Sequence, residues 1–153
     1  MTTLTRRNGT TEIPSLAPVA YMHPDDVGQV VVPGSKREYF KDVISEYEDT
    51  AVNSLKVLLA TDELVMFEAY RAKGSIDPAH IHADHYATVF LRKGRIRMRI
   101  GAQTFVMEEG DSCYHAQGML HQHEALEDCV RVETKFYPAG NAIEAWNKLM
   151  GMS

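Results

Sequence analysis

From about Leu55 onward, apolar and polar residues alternate with the two-residue period of a half-buried strand, and turn residues interrupt the alternation at short intervals. The segment "SLKVLLATDELVMFEAYRAKG" reads as two strands around the turn Thr61-Asp62-Glu63. In "TVFLRKGRIRMRIG" a strand, a Lys93-Gly94 turn and a second strand follow one another; Ile96, Met98 and Ile100 alternate with Arg95, Arg97 and Arg99, giving one apolar and one charged face. "TFVMEEGDSCYHA" adds a strand and a Gly110-Asp111 turn, and "CVRVETKFYPAG" alternates Val130, Val132, Thr134 and Phe136 with Arg131, Glu133 and Lys135. Short strands at a spacing of roughly 8–12 residues predict an antiparallel β-sandwich or barrel.

At both ends the period changes. "SKREYFKDVISEYEDT" carries Tyr39, Phe40, Val43, Ile44 and Tyr47 at helical spacing behind a Ser35/Glu38 capping box, which predicts a helix. A short strand is expected over 29–32, ending at the Pro33-Gly34 turn. The first 20 residues are polar and proline-bearing and read as an extended arm. The tail "GNAIEAWNKLMGMS" is expected to be a helix capped by Asn141 with Glu144, with Ile143, Trp146 and Leu149 or Met150 as its packing stripe. The chain thus divides into an N-terminal arm and helix over 1–50 and a barrel with its terminal helix over 51–153.

Composition narrows the class without naming a function. The 153 residues are enough for one core, and 44% hydrophobic with 24% charged residues is ordinary for a globular chain. A net charge of −5 argues against a phosphate-binding surface, so no nucleic acid is expected. No apolar run approaches a membrane span and no signal peptide is visible, so no membrane association and a cytoplasmic location are expected. Cys113 and Cys129 lack a paired spacing and read as reduced thiols. The Arg95/Arg97/Arg99 row reads as a solvated or interfacial face, and Met66, Met98, Met107 and Met119 as core by default.

The chemistry-bearing feature is histidine. Two histidines at i and i+2 on a strand share a face and can chelate one ion. Seven histidines in such a chain would give roughly 0.3 such pairs by chance. There are two, His80/His82 and His121/His123, which by themselves fit ligands and packed or exposed residues equally. Their surroundings are more specific. Gly74-x5-His80-x-His82 followed by Gly94 resembles the first motif of the cupin superfamily, and "GDSCYHAQGMLH" resembles the second, with Ala116 where proline is usual. The resemblance implies an all-β, cupin-type double-stranded β-helix (a jelly-roll barrel) in which His80, His82 and His121 bind one divalent metal.

That pattern places a glutamate seven residues before Gly94, and this chain has Ala87 there. His85, two residues earlier with the same parity, could serve as a fourth ligand if the strand bulges; its alternative is an exposed loop histidine. His123 is expected to line the cavity one layer from His121, His115 to lie near the metal or at the surface, and His23 to be exposed. Three neutral imidazoles leave a divalent ion its full charge, which favours a bound anion such as an enolate. A three-histidine cupin site is similar to that of the diketone-cleaving, acetylacetone-type dioxygenases, with "HIHADHYATVFLRKG" and "GMLH" as the local match. The implied activity is Fe(II)- and dioxygen-dependent carbon–carbon cleavage of an enolisable ketone or β-dicarbonyl, with Tyr86, Tyr114, His123 and Glu124 as candidate polar groups. Zn, Ni, Mn or Cu also suit the ligands. A Lewis-acid cyclase, isomerase or lyase and a non-catalytic metal- or ligand-binding cupin are the other readings. Family analogy further implies a homodimer.

Overall fold

A computed structural model describes residues 4–6, 10–12, 18–29, 31–32, 40–41 and 54–151. Strands β1 (Leu4–Arg6) and β2 (Thr10–Glu12) form an antiparallel hairpin, so the arm is paired with itself there. A single helical turn, Pro24–Asp26, follows and is capped by the exposed His23 side chain. Of the strand expected over 29–32, Gln29 forms only an isolated bridge and Val31 lies in a bend. The expected helix from Ser35 lies almost wholly outside the described residues. Where it is described, at β3 (Phe40–Lys41), the backbone instead pairs with Leu55 and Ser54, because the edge of a sheet offers those amides and carbonyls partners.

The remaining strands are β4 (Ser54–Ala60), β5 (Leu64–Arg71), β6 (Ile76–His80), β7 (Tyr86–Lys93), β8 (Ile96–Ile100), β9 (Gln103–Met107), β10 (Ser112–His115), β11 (His121–Ala125) and β12 (Cys129–Phe136). They form two antiparallel sheets, a six-stranded one in the order β10-β7-β12-β5-β4-β3 and a four-stranded one in the order β6-β11-β8-β9. This is the jelly-roll arrangement expected. Where each strand faces is set by its alternation: Ile96 and Met98 of β8 are buried, while Arg95 and Arg97 on the opposite face pair with Glu108 and Glu124.

Two apolar clusters hold the structure. One joins Leu55, Val57, Val65, Phe67 and Ala69 of β4 and β5 to Val19, Met22 and Val27 and to Ile143 and Trp146 of the terminal helix α1 (Ala142–Leu149). Trp146 is fully buried, packs in a tilted arrangement against Phe67 with ring centroids 5.0 Å apart, and donates from Nε1 to Ala20 O at 2.9 Å. The second cluster packs Leu91, Ile96, Met98, Met107, Ala125 and Cys129 at the other end. The Asn141 side chain makes no capping bond; the first helical amide, Ala142 N, donates instead to Asp62 O in the β4–β5 turn. Among the described residues no helix is long and apolar enough to cross a membrane.

Candidate metal centre

Residues directly opposite in neighbouring antiparallel strands share a face, so register fixes what lines the barrel. Across the six-stranded sheet, Lys135 lies opposite Val65 and Ala87, Glu133 opposite Phe67 and Val89, and Arg131 opposite Ala69 and Leu91. All of these are buried. The charged face of β12 therefore points into the barrel, and the small side chains of Ala69 and Ala87 leave room for the long ones beside them. From β10, His115 lies opposite Ala87.

The four-stranded sheet contributes from the other wall. On β11, His121 pairs with His80 of β6, and His123 with Asp77, across a bulge. His82 lies just past β6 in a loop tied down by Gly118 N donating to His82 O at 2.8 Å and Gln117 Nε2 to Ala83 O at 2.7 Å. The ring centroids of His80 lie 4.5 Å from those of His82 and 4.2 Å from those of His121. One nitrogen from each of His80, His82 and His121 lies within 4.8 Å of the others, a spacing that fits a single ion. The backbone sets the tautomers: Nδ1 of His80 donates to Pro78 O at 2.6 Å, and Nδ1 of His121 to Met119 O at 3.0 Å. In both rings Nε2 is left as the lone-pair nitrogen, the usual way a ligand histidine is oriented.

A second group, His115, His121 and His123, meets the same distance criterion and is entirely buried. His121 belongs to both groups and has only Nε2 to give. Nδ1 of His115 and both ring nitrogens of His123 have no hydrogen-bond partner among the described residues. Nδ1 of His123 lies 3.6 Å from Asp77 Oδ2, outside bonding distance but close enough to orient the ring.

Burial favours the neutral form of His82, His115, His121 and His123. It pushes His82 down to about 2, with Lys135 and the neighbouring rings adding to the effect, and takes His115 to about 3 and His121 to about 4. Burial and then Arg131 lower His123. The carboxylates behave oppositely: burial alone would raise Asp77 and Glu133. Arg131, His123 and Arg71 hold Asp77 well below the carboxylate range, and Lys135 and Arg131 do the same for Glu133. Asp77 accepts from Arg71 Nε at 3.1 Å and from Arg131 Nη2 at 3.0 Å, and Glu133 from Lys135 Nζ at 2.7 Å. A cavity of about 350 Å³ opens onto this wall, lined by His80, His82, His121, His123 and the five charged residues, with Phe67 and Met150 among its apolar residues.

The candidates separate cleanly in position. His80, His82 and His121 converge; His123 lines the same cavity. His85 is neither an exposed loop residue nor a member of either group. It is buried 4.3 Å from the His82 ring, and its nitrogens face Asp84 Oδ1 at 2.7 Å and Lys135 Nζ at 3.2 Å. Tyr86 and Glu124 are set apart from the cavity by strand parity. Tyr86 alternates with inward Ala87 and stacks on Phe136 at 5.1 Å, and Glu124 alternates with inward His123 and pairs with Arg97 at 2.8 Å. Neither lines the cavity, and Tyr114 is exposed. Sequence reasoning missed Arg71, Asp77, Arg131, Glu133 and Lys135. The available signal was the strict charge alternation of β12 beside strands carrying alanine at matching positions.

Comparison with known proteins agrees with this architecture. A family model described as "Cupin domain" matches residues 53–133. Among solved structures, an RmlC-like cupin from Shewanella frigidimarina superposes with a TM-score of 0.63 at 16% identity, covering 73% of this chain and 94% of that one. KdgF from Halomonas sp. gives 0.61 at 14% identity, covering 70% and 92%. A predicted oxalate decarboxylase from Thermotoga maritima gives 0.53 at 15%, covering 56% and 80%. At these identities the likeness is one of fold. No curated protein matches the sequence.

Proposed function

The chain belongs to the cupin domain family, and from that premise we propose that it is a metal-dependent enzyme acting on a small enolisable carbonyl compound, as a non-haem Fe(II) dioxygenase that cleaves a carbon–carbon bond. The observation that carries this reading is the convergence of His80, His82 and His121 at one point of the cavity, with Ala87 where the cupin pattern has glutamate. The donor set fits a divalent ion: three imidazoles, two with Nε2 freed by backbone acceptors. A bound ion would supply Lewis acidity for the carbonyl oxygens and, if it is iron(II), a place for dioxygen.

The remaining chemistry falls to the protein. His123 is neutral, lines the cavity and has Nδ1 turned toward Asp77, so Nε2 is the atom that takes a proton from the substrate carbon. The imidazolium so formed is stabilised by Asp77, which stays ionised between Arg71 and Arg131. Lys135, held by Glu133 and His85, adds a positive charge to the same cavity, which favours an anionic substrate. The apolar residues of the cavity wall, Leu55, Phe67 and Met150, keep water from the reacting carbon.

The same proton abstraction supports a second reading, a Lewis-acid lyase, cyclase or isomerase, which needs no dioxygen. Oxygen uptake by Fe(II)-reconstituted protein with a panel of β-dicarbonyls and hydroxyketones separates them, with His121→Ala as control. Substrate-dependent uptake lost in the control is the expected result. Anaerobic turnover of the same panel would move the assignment to the non-redox enzyme, and retained metal with no turnover in either atmosphere would overturn both.

A further inference from the structure

Arg131 is 4% exposed and lines the cavity, yet only Nη2 has an acceptor, Asp77. Its Nε and Nη1 find none among the described residues; Nε lies 3.6 Å from Glu133 Oε1, and Nη1 has not even that. A buried charged donor left without an acceptor is unfavourable, so such groups ordinarily point at a ligand or a water. Lys135 has three donors and uses two, on Glu133 and His85.

The charges give the same direction. Along the cavity wall, Arg71, Arg131 and Lys135 face Asp77 and Glu133, so one positive charge is in excess before any metal binds. Asp77 is shared between the two arginines, and Glu133 is divided between Lys135 on Oε2 and Arg131 Nε, 3.6 Å from Oε1, so two carboxylates serve three cations. The nearby Asp84 is mostly exposed and engages His85 at the rim. Glu68, also buried, lies on the outer face of β5 between Lys56 and Arg92.

We propose that Arg131 and Lys135 form a carboxylate-binding end of the cavity, and that the substrate is accordingly a small keto acid or dicarbonyl acid. Its carboxylate sits on Arg131 Nη1 and Lys135 Nζ, and its enolisable carbonyl lies at His80, His82 and His121. This rests on the enzymatic reading above for the carbonyl end alone; the carboxylate end stands on Arg131 and the charge excess. A cavity of about 350 Å³ is at the small end of the range for small-molecule sites, which limits the acid to a short one.

The test is calorimetric and needs no turnover. Succinylacetone (a β-diketone with a carboxylate tail), its carboxamide and acetylacetone are titrated anaerobically into metal-loaded protein and into metal-stripped protein. The acid is expected to bind at least about tenfold more tightly than the amide in both forms, because a charge-assisted contact to Arg131 does not depend on the ion. Acid and amide binding alike in both forms would overturn the subsite and leave Nη1 to a structural water. An advantage confined to the metal-loaded form would assign the carboxylate to the ion instead. Arg131→Lys keeps the charge and removes the fork, and should lose most of the advantage. The paired variant Asp77→Asn/Arg131→Met removes one charge of each sign, so it guards against misfolding, and an undiminished advantage there would also sink the proposal. Acid preference without oxygen uptake would retain the subsite and remove the dioxygenase; uptake with neutral diketones and no acid preference would do the reverse.

Discussion

Glu133→Gln is the most revealing single change outside the histidines. Glu133 is 2% exposed, accepts from Lys135 Nζ at 2.7 Å and lies 3.6 Å from Arg131 Nε, so it is the counter-ion of two buried cations. At an effective dielectric of about 20 its attraction to Lys135 alone is roughly 6 kcal/mol, most of it offset by desolvation. Removing one partner of a buried pair exposes the uncompensated remainder, about 3–5 kcal/mol. Glutamine still accepts from Lys135, which places the expected loss near the lower figure, about 3 kcal/mol. That is a drop in melting temperature of about 6–12 °C for a chain of this size, well within a stability of about 5–15 kcal/mol. Lys135→Met should lose a similar amount, because Glu133 then keeps only the longer contact to Arg131. The double variant Glu133→Gln/Lys135→Met removes one charge of each sign and should recover to within about 1.5 kcal/mol of the parent. Urea unfolding of the four metal-free proteins reads the cycle directly, without the added stabilisation of a bound ion. Single losses below about 1 kcal/mol would mean that water screens the pair. A double variant as unstable as the summed singles would mean that Glu133 and Lys135 are not coupled. Either result would refute the description of a dry charged wall.

Three further outcomes follow from the same geometry. Gly94 has φ +89, and a Cβ there would meet the backbone of Asp128 and lie 2.8 Å from Cys129 Cβ, whereas Gly110, also at φ +89, has open space around it. Gly94→Ala should therefore lose more than about 3 kcal/mol and Gly110→Ala only the left-handed penalty of about 1–2 kcal/mol; equal losses in chemical denaturation would show that φ alone matters. Tyr86→Phe and Glu124→Gln should leave kcat/KM within about twofold of the parent, since both residues lie on the outer face; a tenfold fall in steady-state assays would support them as catalytic groups. Metal-free protein should lose stability as pH falls from about 6.5 toward 4, because His85 and His115, lowered to about 4 and 3 when folded, take protons first in the unfolded chain. Asp77 and Glu133, also lowered, contribute stability above the unfolded carboxylate range and lose it as pH drops further. A melting temperature flat from pH 7 to 4 would contradict the burial of those imidazoles.

The strands were legible where one face is apolar and the other is not. In β8, Ile96 and Met98 against Arg95 and Arg97 allow one orientation only, and the structure adopts it. The three histidines were legible because strand parity and the glycine turns around them constrain where they fall. Strand β12 was not. Its Val/Thr/Phe face and its Arg/Glu/Lys face are both plausible linings, and the choice depends on the parity of β5 and β7, which bring Ala69 and Ala87 opposite the charged side chains. The same missing register sent Tyr86 and Glu124 to the cavity on paper and to the outer surface in the fold. The Asn141 cap failed for a tertiary reason, since Asp62 O from the neighbouring turn already accepts from Ala142 N.

Ala87 ties these threads together. In the cupin pattern this position carries a carboxylate; here it is a buried methyl group in register with Lys135 on one side and His115 on the other. A glutamate at 87 would have to share that space with Lys135, and its charge would cancel the excess cation of the wall. With alanine, the lysine stem has room, its ammonium turns to Glu133 and His85, and the site keeps its surplus positive charge. Alanine at 87 and the inward cations of β12 therefore act in the same electrostatic direction from two strands. Imidazole ligands bring no negative charge to a bound ion, and the cations beside them raise the potential further. What such a wall lacks is negative charge, and in a low-dielectric cavity the substrate is the component that can bring it.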